Sequence, residues 1–455
     1  MYLADRSAPA RPKNGPGRGP VRARALTPAV LALGTVSLIT DVSSEMVTAV
    51  LPLYLVAGLG LSPLGFGALD GVYNGVSALV QLTGGHLADR VRNHKLIAGI
   101  GYGLSALCKP LLLFAHGLGP VGVVLALERT GKGLRTAPRD ALISLSAPAG
   151  SQGRAFGVHR AMDTTGALLG PFAAFLILSA VADGYDTVFG VSACVAVLGV
   201  VVLVLFVPGT PGAGAAATMG GAPEPAGVRP PAPRPREALA LLRLPRLRAL
   251  AGCAALLGLT TVSDAFVYLM LQRRTGIGEQ WFPLLPLGTA AVFLLLAVPA
   301  GVLADRIGRR TVFLTGHALL LAAYGLLLWA PGGQPALPYL VLVLHGLFYA
   351  ATDGVLPAAV AAAVPGRLRA TGLALVGTGQ ALARFGCSLA FGGAWTLWGP
   401  GPALAGAAAG LLCSAVVAAF VLRPATPSVP VAPSAPVDPS APSAPDASPR
   451  PRGTR

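Results

Sequence analysis

Apolar residues run along this chain in long blocks, separated by short connectors that carry most of its charge. A helix that crosses the ~30 Å hydrocarbon layer of a membrane needs about 20 mainly apolar residues. Windows of that kind fall at 28–57, 64–88, 95–116, 118–147, 154–181 and 187–208. After a break they resume at 249–272, 282–304, 311–331, 337–364, 370–395 and 400–422. The pattern predicts an all-α membrane protein with 12 transmembrane helices, six in an N-terminal bundle over 28–208 and six in a C-terminal bundle over 248–422. The break at 209–247 is rich in Pro, Ala, Gly and Arg and reads as a flexible cytoplasmic tether. Residues 1–27 and 423–455, rich in Pro with Gly and Arg or with Ser and Ala, read as disordered cytoplasmic tails. The first of these lacks the pattern of a cleavable signal.

The fourth window is the least regular. Only residues 118–127 are purely apolar, too short to cross, so the segment either embeds its charged continuation or is re-entrant. Connector charge favours a crossing. Arg and Lys gather in one alternate set of connectors (Arg90 to Lys95, Arg154, Arg229 to Arg248, Arg306 to Arg310, Arg367, Arg369). The other set, near 60, 117, 184, 334 and 398, has none, and Arg273 and Arg274 alone break the alternation. The positive-inside rule then places both termini in the cytoplasm.

Composition agrees. The chain is 54% hydrophobic and 11% charged, against about a quarter charged in soluble domains. A net charge of +16 raises the question of nucleic acid. The basic residues lie in tails and connectors, with no basic face carrying readout chemistry, so nucleic-acid binding is not expected. Cys108, Cys194, Cys253, Cys387 and Cys413 are scattered through apolar windows without metal-ligand spacing, and are read as small packing residues. No metal and no cofactor is expected.

One phrase occurs twice, half a chain apart. Gly85-His-Leu-Ala-Asp89-Arg90 precedes a basic run to Lys95, and Gly301-Val-Leu-Ala-Asp305-Arg306 precedes Arg309 and Arg310. Each copy sits between two apolar windows. Repeated halves are a hallmark of secondary transporters.

Ionisable residues at membrane depth are costly and usually face a cavity or a partner. In the fourth window Glu128, Lys132, Arg135 and Arg139 fall on one helical face, with Arg129 and Asp140 on the next. The stripe is expected to line a central cavity. A purely structural network, with Glu128 paired to Lys132 and Arg139 to Asp140, is the alternative. In the first window Asp41 and Glu45 lie one turn apart, and a carboxyl group out of water readily exchanges a proton near neutrality. They are the candidate proton carriers, or else salt-bridge partners of the fourth or eleventh window. Asp264, Asp353 and Arg384 stand in the seventh, tenth and eleventh windows; His345 precedes Asp353 by two turns. His159, Arg160 and Asp163 lie near the start of the fifth, and Lys109 is close enough to an end of the third to snorkel. The chain shows no phosphate-binding loop or hydrolase motif, and an enzyme is not expected.

These features resemble the major facilitator superfamily across nearly all of 28–422. The two Gly-x-Leu-Ala-Asp-Arg phrases are similar to its loop motif, fully in the second copy and with Arg92, Asn93 and His94 replacing later positions in the first. Arg129-x-x-Lys132-Gly133 resembles its fourth-helix motif, with Lys132 where Gln is usual. Gly157, Gly166 and Gly170-Pro171 resemble the antiporter motif of its drug and metabolite exporters, with Ala174 and Phe175 replacing the closing glycines. Asp41-Val-Ser-Ser-Glu45-Met46 and the Glu128–Asp140 stretch resemble an uncharacterised bacterial branch that supplies no substrate.

The resemblance implies a multi-pass secondary transporter of the bacterial plasma (inner) membrane, working as a monomer by alternating access. Its expected partners are a small-molecule substrate, protons and lipid. It implies proton-coupled efflux by antiport of a drug or metabolite, with proton coupling at Asp41, Glu45 and Arg129. Lys132, Arg135, Arg139, Asp264, Asp353 and Arg384 would line the substrate cavity. Gly85, Asp89, Arg90, Gly301, Asp305, Arg306, Arg309, Gly166, Gly170 and Pro171 would gate it. Proton-coupled uptake of a small organic anion is the alternative, favoured by the basic stripe and disfavoured by Gly170-Pro171. A non-transporting receptor or a membrane-embedded enzyme stand further off.

Overall fold

The computed structural model describes residues 27–91, 93–147, 152–208, 241–331, 334–364 and 368–422, except the side chains at 77–78, 81–92, 152–153 and 369–370. The two expected tails, apart from Thr27, and most of the expected tether lie outside the described residues.

Every apolar window becomes helix. The first six are α1 Pro28–Leu53, α2 Pro63–Val91, α3 His94–Leu111, α4 Leu118–Ser146, α5 Gln152–Ala180 and α6 Tyr185–Phe206. A π-helical turn, Tyr54–Gly58, extends α1. The next are α7 Pro245–Gly258, α8 Asp264–Thr275, α9 Leu284–Ile307, α10 Arg309–Trp329, α11 Leu337–Thr352, α12 Val355–Ala363, α13 Arg369–Trp398 and α14 Pro400–Val421. The described residues contain no strand.

Local chemistry sets the ends. Asn93 caps α3, its side chain accepting from Leu96 N at 3.0 Å. Gly308 (φ 98°) and Gly399 (φ 88°) form the one-residue joints between α9 and α10 and between α13 and α14, a backbone region that side chains resist. Helix α4 is unbroken over 29 residues, about 43 Å at 1.5 Å per residue and longer than the hydrocarbon layer. A re-entrant half-helix is therefore not what forms.

Two windows are interrupted. Residues 259–263 separate α7 from α8, where Tyr324 of α10 accepts the freed Val262 N–H at 2.9 Å. Asp353-Gly354 separates α11 from α12. Broken helices are tolerated at membrane depth where they are buried in protein or line a cavity.

Eight helical stretches among the described residues are long and apolar enough to cross a membrane. The helices outside that set are α2, α4, the short pair α7 and α8, and α13. Exposed leucines and valines cover the outside, and Trp329, Tyr339 and Trp398 sit exposed at helix ends, where amphipathic rings meet lipid headgroups.

Packing follows small residues. Helix α1 lies against α5 and α6, α3 against α4 and α6, and α2 against α4. Helix α11 lies against α9 and α10, and α13 against α7 and α14. Helix α2 also runs along α13, and α5 reaches α9. The α1–α5 crossing is tight: a Cβ at Gly170 would lie 2.8 Å from the Val42 carbonyl, and one at Gly166 would meet the Leu38 backbone. At the α3–α4 crossing a Cβ on Gly101 would fall 2.7 Å from the Gly131 carbonyl. Such positions let helix backbones approach in a solvent that gives no hydrophobic drive for helix association.

Candidate functional site

A cavity of about 380 Å³ lies among α1, α2, α5, α8, α9, α11 and α13. Both helix breaks open onto it. Ser263 and Asp264 line it at the first, and Asp353 at the second. Asp264 stands at the N-terminus of α8 and accepts from Tyr349 Oη at 2.6 Å, with His345 Nε2 at 3.1 Å. His345 thus serves the aspartate of another helix rather than Asp353, its neighbour in sequence. Arg384 of α13 reaches the same wall. Glu45 of α1 lines it with Asp70, Tyr73 and Asn74 of α2.

The α4 stripe runs beside this cavity, with Glu128, Arg129, Arg135 and Arg139 buried and Lys132 and Asp140 partly exposed, and is paired along its length. Glu128 lies between Lys109 of α3 (Nζ–Oε1 3.3 Å) and Arg129 (Nε–Oε2 2.6 Å). The Arg129 guanidinium covers the Tyr73 ring at 3.5 Å from its centroid. Lys132 Nζ stands 3.6 Å from Glu45 Oε1, and Arg135 Nη2 3.7 Å from Asp41 Oδ1. Arg139 bridges Asp140 (3.1 Å) and Asp163 of α5 (3.5 Å), and donates to Ser37 Oγ at 3.3 Å. Arg160 of α5 pairs with Asp163 at 3.7 Å and is exposed. A ladder of ion pairs therefore runs from the cavity wall at Glu45, along α1 and α4, to the molecular surface at Arg160.

The ladder differs from the expected pairing. Lys132 pairs with Glu45 and leaves Glu128 to Lys109 and Arg129; Arg139–Asp140 forms as expected. Lys109 does not snorkel: it is 2% exposed, because a carboxylate lies within reach inside the fold. The Glu45–Lys132 and Asp41–Arg135 pairs, at 3.6 and 3.7 Å, are longer than a hydrogen bond, whereas the Glu128 pairs are closer.

Of the expected cavity residues, Asp264, Asp353 and Arg384 line the cavity together. Lys132, Arg135 and Arg139 stand behind its wall as partners of Glu45, Asp41, Asp140 and Asp163. Glu45, an expected proton carrier, is on the wall itself, and so is Pro171. Gly166 and Gly170 hold α5 on α1, while a Cβ at Gly157 would meet open space. In the second loop motif Arg309 pairs with Asp305 (3.6 Å) and donates to the Ala358 carbonyl of α12 at 2.9 Å. Gly301 and Arg306 lie on exposed α9. Gly85, Asp89 and Arg90 fall in α2, with side chains outside the described residues.

Sequence reasoning missed Asp70, Tyr349 and Ser388. Ser388 of α13 donates to Asp70 Oδ2 at 2.6 Å, joining helices far apart in sequence. Asp70 is a single acid in an apolar window, and it was legible only as such. Arg273 and Arg274, the exceptions to the connector pattern, are also explained. Arg274 donates to the Ala330 carbonyl at 3.0 Å and to that of Leu328, closing the end of α10, and Arg273 stacks over Trp395 at 5.2 Å.

The chain matches the Major Facilitator Superfamily over residues 33–293 and 280–451. It is 30% identical over 382 residues to an uncharacterized MFS-type transporter of Methanocaldococcus jannaschii, covering 82% of this chain and 90% of that one. An uncharacterized protein of Mycobacterium tuberculosis is 33% identical over 162 residues, 36% of this chain and 39% of that protein. Among solved structures, a nucleoside transporter superposes with TM-score 0.70 at 13% identity, over 87% of this chain and all of that one (100%). A bacterial homologue of the human lysosomal transporter Spinster, inward-facing and unoccupied, gives 0.61 at 18% identity over 87% and 94% of the two chains. At these identities the solved structures speak for the fold. The chain belongs to the Major Facilitator Superfamily and is a membrane transporter of that type.

Proposed function

We propose that this transporter exchanges protons for a small molecule, a drug or metabolite, and exports it. The observation that carries the reading is the pair of loose ion pairs, Glu45–Lys132 and Asp41–Arg135, beside the cavity. Each carboxylate has a cation near enough to stabilise its charge and far enough to release it when protonated. Protonation cancels the carboxylate charge and frees Lys132 or Arg135, so proton occupancy and helix position are linked. Arg129, held by Glu128 and Tyr73, anchors α4 against α2 rather than meeting a proton itself.

Alternating access supplies the cycle. Two six-helix bundles, 28–208 and 248–422, rock about the cavity, tethered through 209–247 and with both termini cytoplasmic in the plasma membrane. Contacts on the side of the uncharged connectors support an outer seal. Leu64 N donates to Thr396 Oγ1 at 3.0 Å, and Tyr185 Oη to Glu279 Oε2 at 2.7 Å. Phe175 stacks near Trp281 at 5.0 Å between centroids. Asp305 and Arg309 act as the inner latch, with the Asp89 copy as its counterpart. Gly166, Gly170 and Pro171 keep α5 tight on α1, so the proton pairs stay closed to the outside.

Uptake of an organic anion is the weaker reading here. The cations of α4 are engaged by carboxylates, and among the described residues lining the cavity Arg384 is the one cation. The test is lumenal pH in inverted vesicles holding the purified protein and a preset proton gradient, while antibiotics and metabolites are added one at a time. Release of lumenal protons on addition of one compound is expected. Proton entry together with the compound would replace antiport by symport.

A further inference from the structure

We propose that the transported molecule is an organic cation, an ammonium or similar group on an aromatic or apolar body, and that Asp70 is its principal charged partner. The proposal rests on reading the central cavity as the transport site.

Charge comes first. With Glu45 engaged by Lys132, the wall retains Asp70, Asp264 and Asp353 against Arg384 alone. Asp70 and Asp353 have no cation within 4 Å among the described residues. A carboxylate in that position is costly unless something positive meets it. Asp70 is the best placed to receive one. Ser388 donates to one of its oxygens at 2.6 Å, and Asn74 approaches the other at 3.4 Å. The carboxylate is thereby oriented on the wall without being neutralised.

The remaining wall fits the same ligand. Tyr268, Phe282, Phe293 and Tyr349 line the cavity, aromatic residues of the kind that attract cations and bury apolar bodies, beside Tyr73, whose ring already carries Arg129. Thr289 of α9 lines it too. Position adds a reason for coupling. Asp70 bonds to Ser388 across the α2–α13 contact, so a cation bound at Asp70 touches both halves of the chain at once.

The experiment is equilibrium binding to the full chain purified in detergent, with two probes of one shape and opposite charge, tetraphenylphosphonium and tetraphenylborate. Saturable binding of the phosphonium and none of the borate is expected. Asp70→Asn weakens phosphonium binding by about tenfold or more, the usual scale for losing a buried charge partner. Asp70→Glu, which keeps the charge, retains binding. Should Asp70→Asn fail to give a monodisperse protein, Asp353→Asn carries the same expectation of weakening. Preference for the borate, no saturable phosphonium binding, or phosphonium affinity unchanged in the Asn variant would overturn the proposal. Binding needs no gradient, so the two readings fail separately. A protein that binds phosphonium yet moves no protons loses antiport only, and one that exchanges protons but prefers the borate loses the cation only.

Discussion

Glu128 sits between Lys109 and Arg129 with all three side chains buried. Removing its charge leaves two cations in the fold without an anion. Breaking such a buried pair costs about 3–5 kcal/mol, so Glu128→Gln is expected to lower the apparent Tm in detergent by many degrees. An unchanged Tm would show that these charges are not held as described. Conversely Arg160, exposed and paired at 3.7 Å, is worth little, and Arg160→Gln should leave the Tm within error, since exposed pairs contribute about 0–1 kcal/mol. At this scale the sequence was legible where charges share a helix. Periodicity put Glu128, Lys132, Arg135 and Arg139 on one face, and they are on one face. Pairing between helices was legible in part: the fourth window was one of two partners read for Asp41 and Glu45, but that Lys132 takes Glu45 and Arg135 takes Asp41, or that Asp70 meets Ser388, depends on approach across space that spacing along one helix does not encode.

Helices α1 and α5 form the element on which the proton reading turns. A Cβ at Gly170 would lie 2.7 Å from the Glu45 Cβ and 2.9 Å from the Met46 nitrogen. Gly170→Ala must therefore push the helices apart or displace Glu45, at an overpacking cost of about 1–3 kcal/mol. The expected result is a lower Tm together with slower transport, read in the same vesicle assay. Gly157→Ala, where a Cβ meets nothing within 4 Å, is the control expected to change neither. The exporter-like glycines thus divide into two that pack and one that does not, a distinction the motif alone does not make. The helix breaks show the opposite limit. Both fall inside apolar windows that read as continuous, although Ser263-Asp264 and Asp353-Gly354 are residues that favour helix starts and turns. The hydrophobic pattern outweighed that local signal in the reading of those windows.

For the molecule as a whole, the proposed outer seal has a direct consequence. Tyr185 and Glu279 are in contact across the two halves of the chain. With the exposed Cys194 and Cys413 replaced by Ala, cysteines at 185 and 279 joined by a reducible cross-linker are expected to stop transport, and reductant to restore it. Transport that continues through the cross-link would remove the rocking cycle. The helices were legible because lipid demands long apolar blocks, so the windows and their helices agree closely. The cavity was not, because α2, α8 and α13 contribute to it single polar residues whose neighbours are ordinary membrane side chains. The most direct test of proton coupling compares Asp41→Asn with the unmodified chain in proteoliposomes, using the first compound that collapses the proton gradient. Gradient-driven flux should vanish in the variant while substrate counterflow, which moves no net proton, persists. Gradient-driven flux at the unmodified rate would contradict the account.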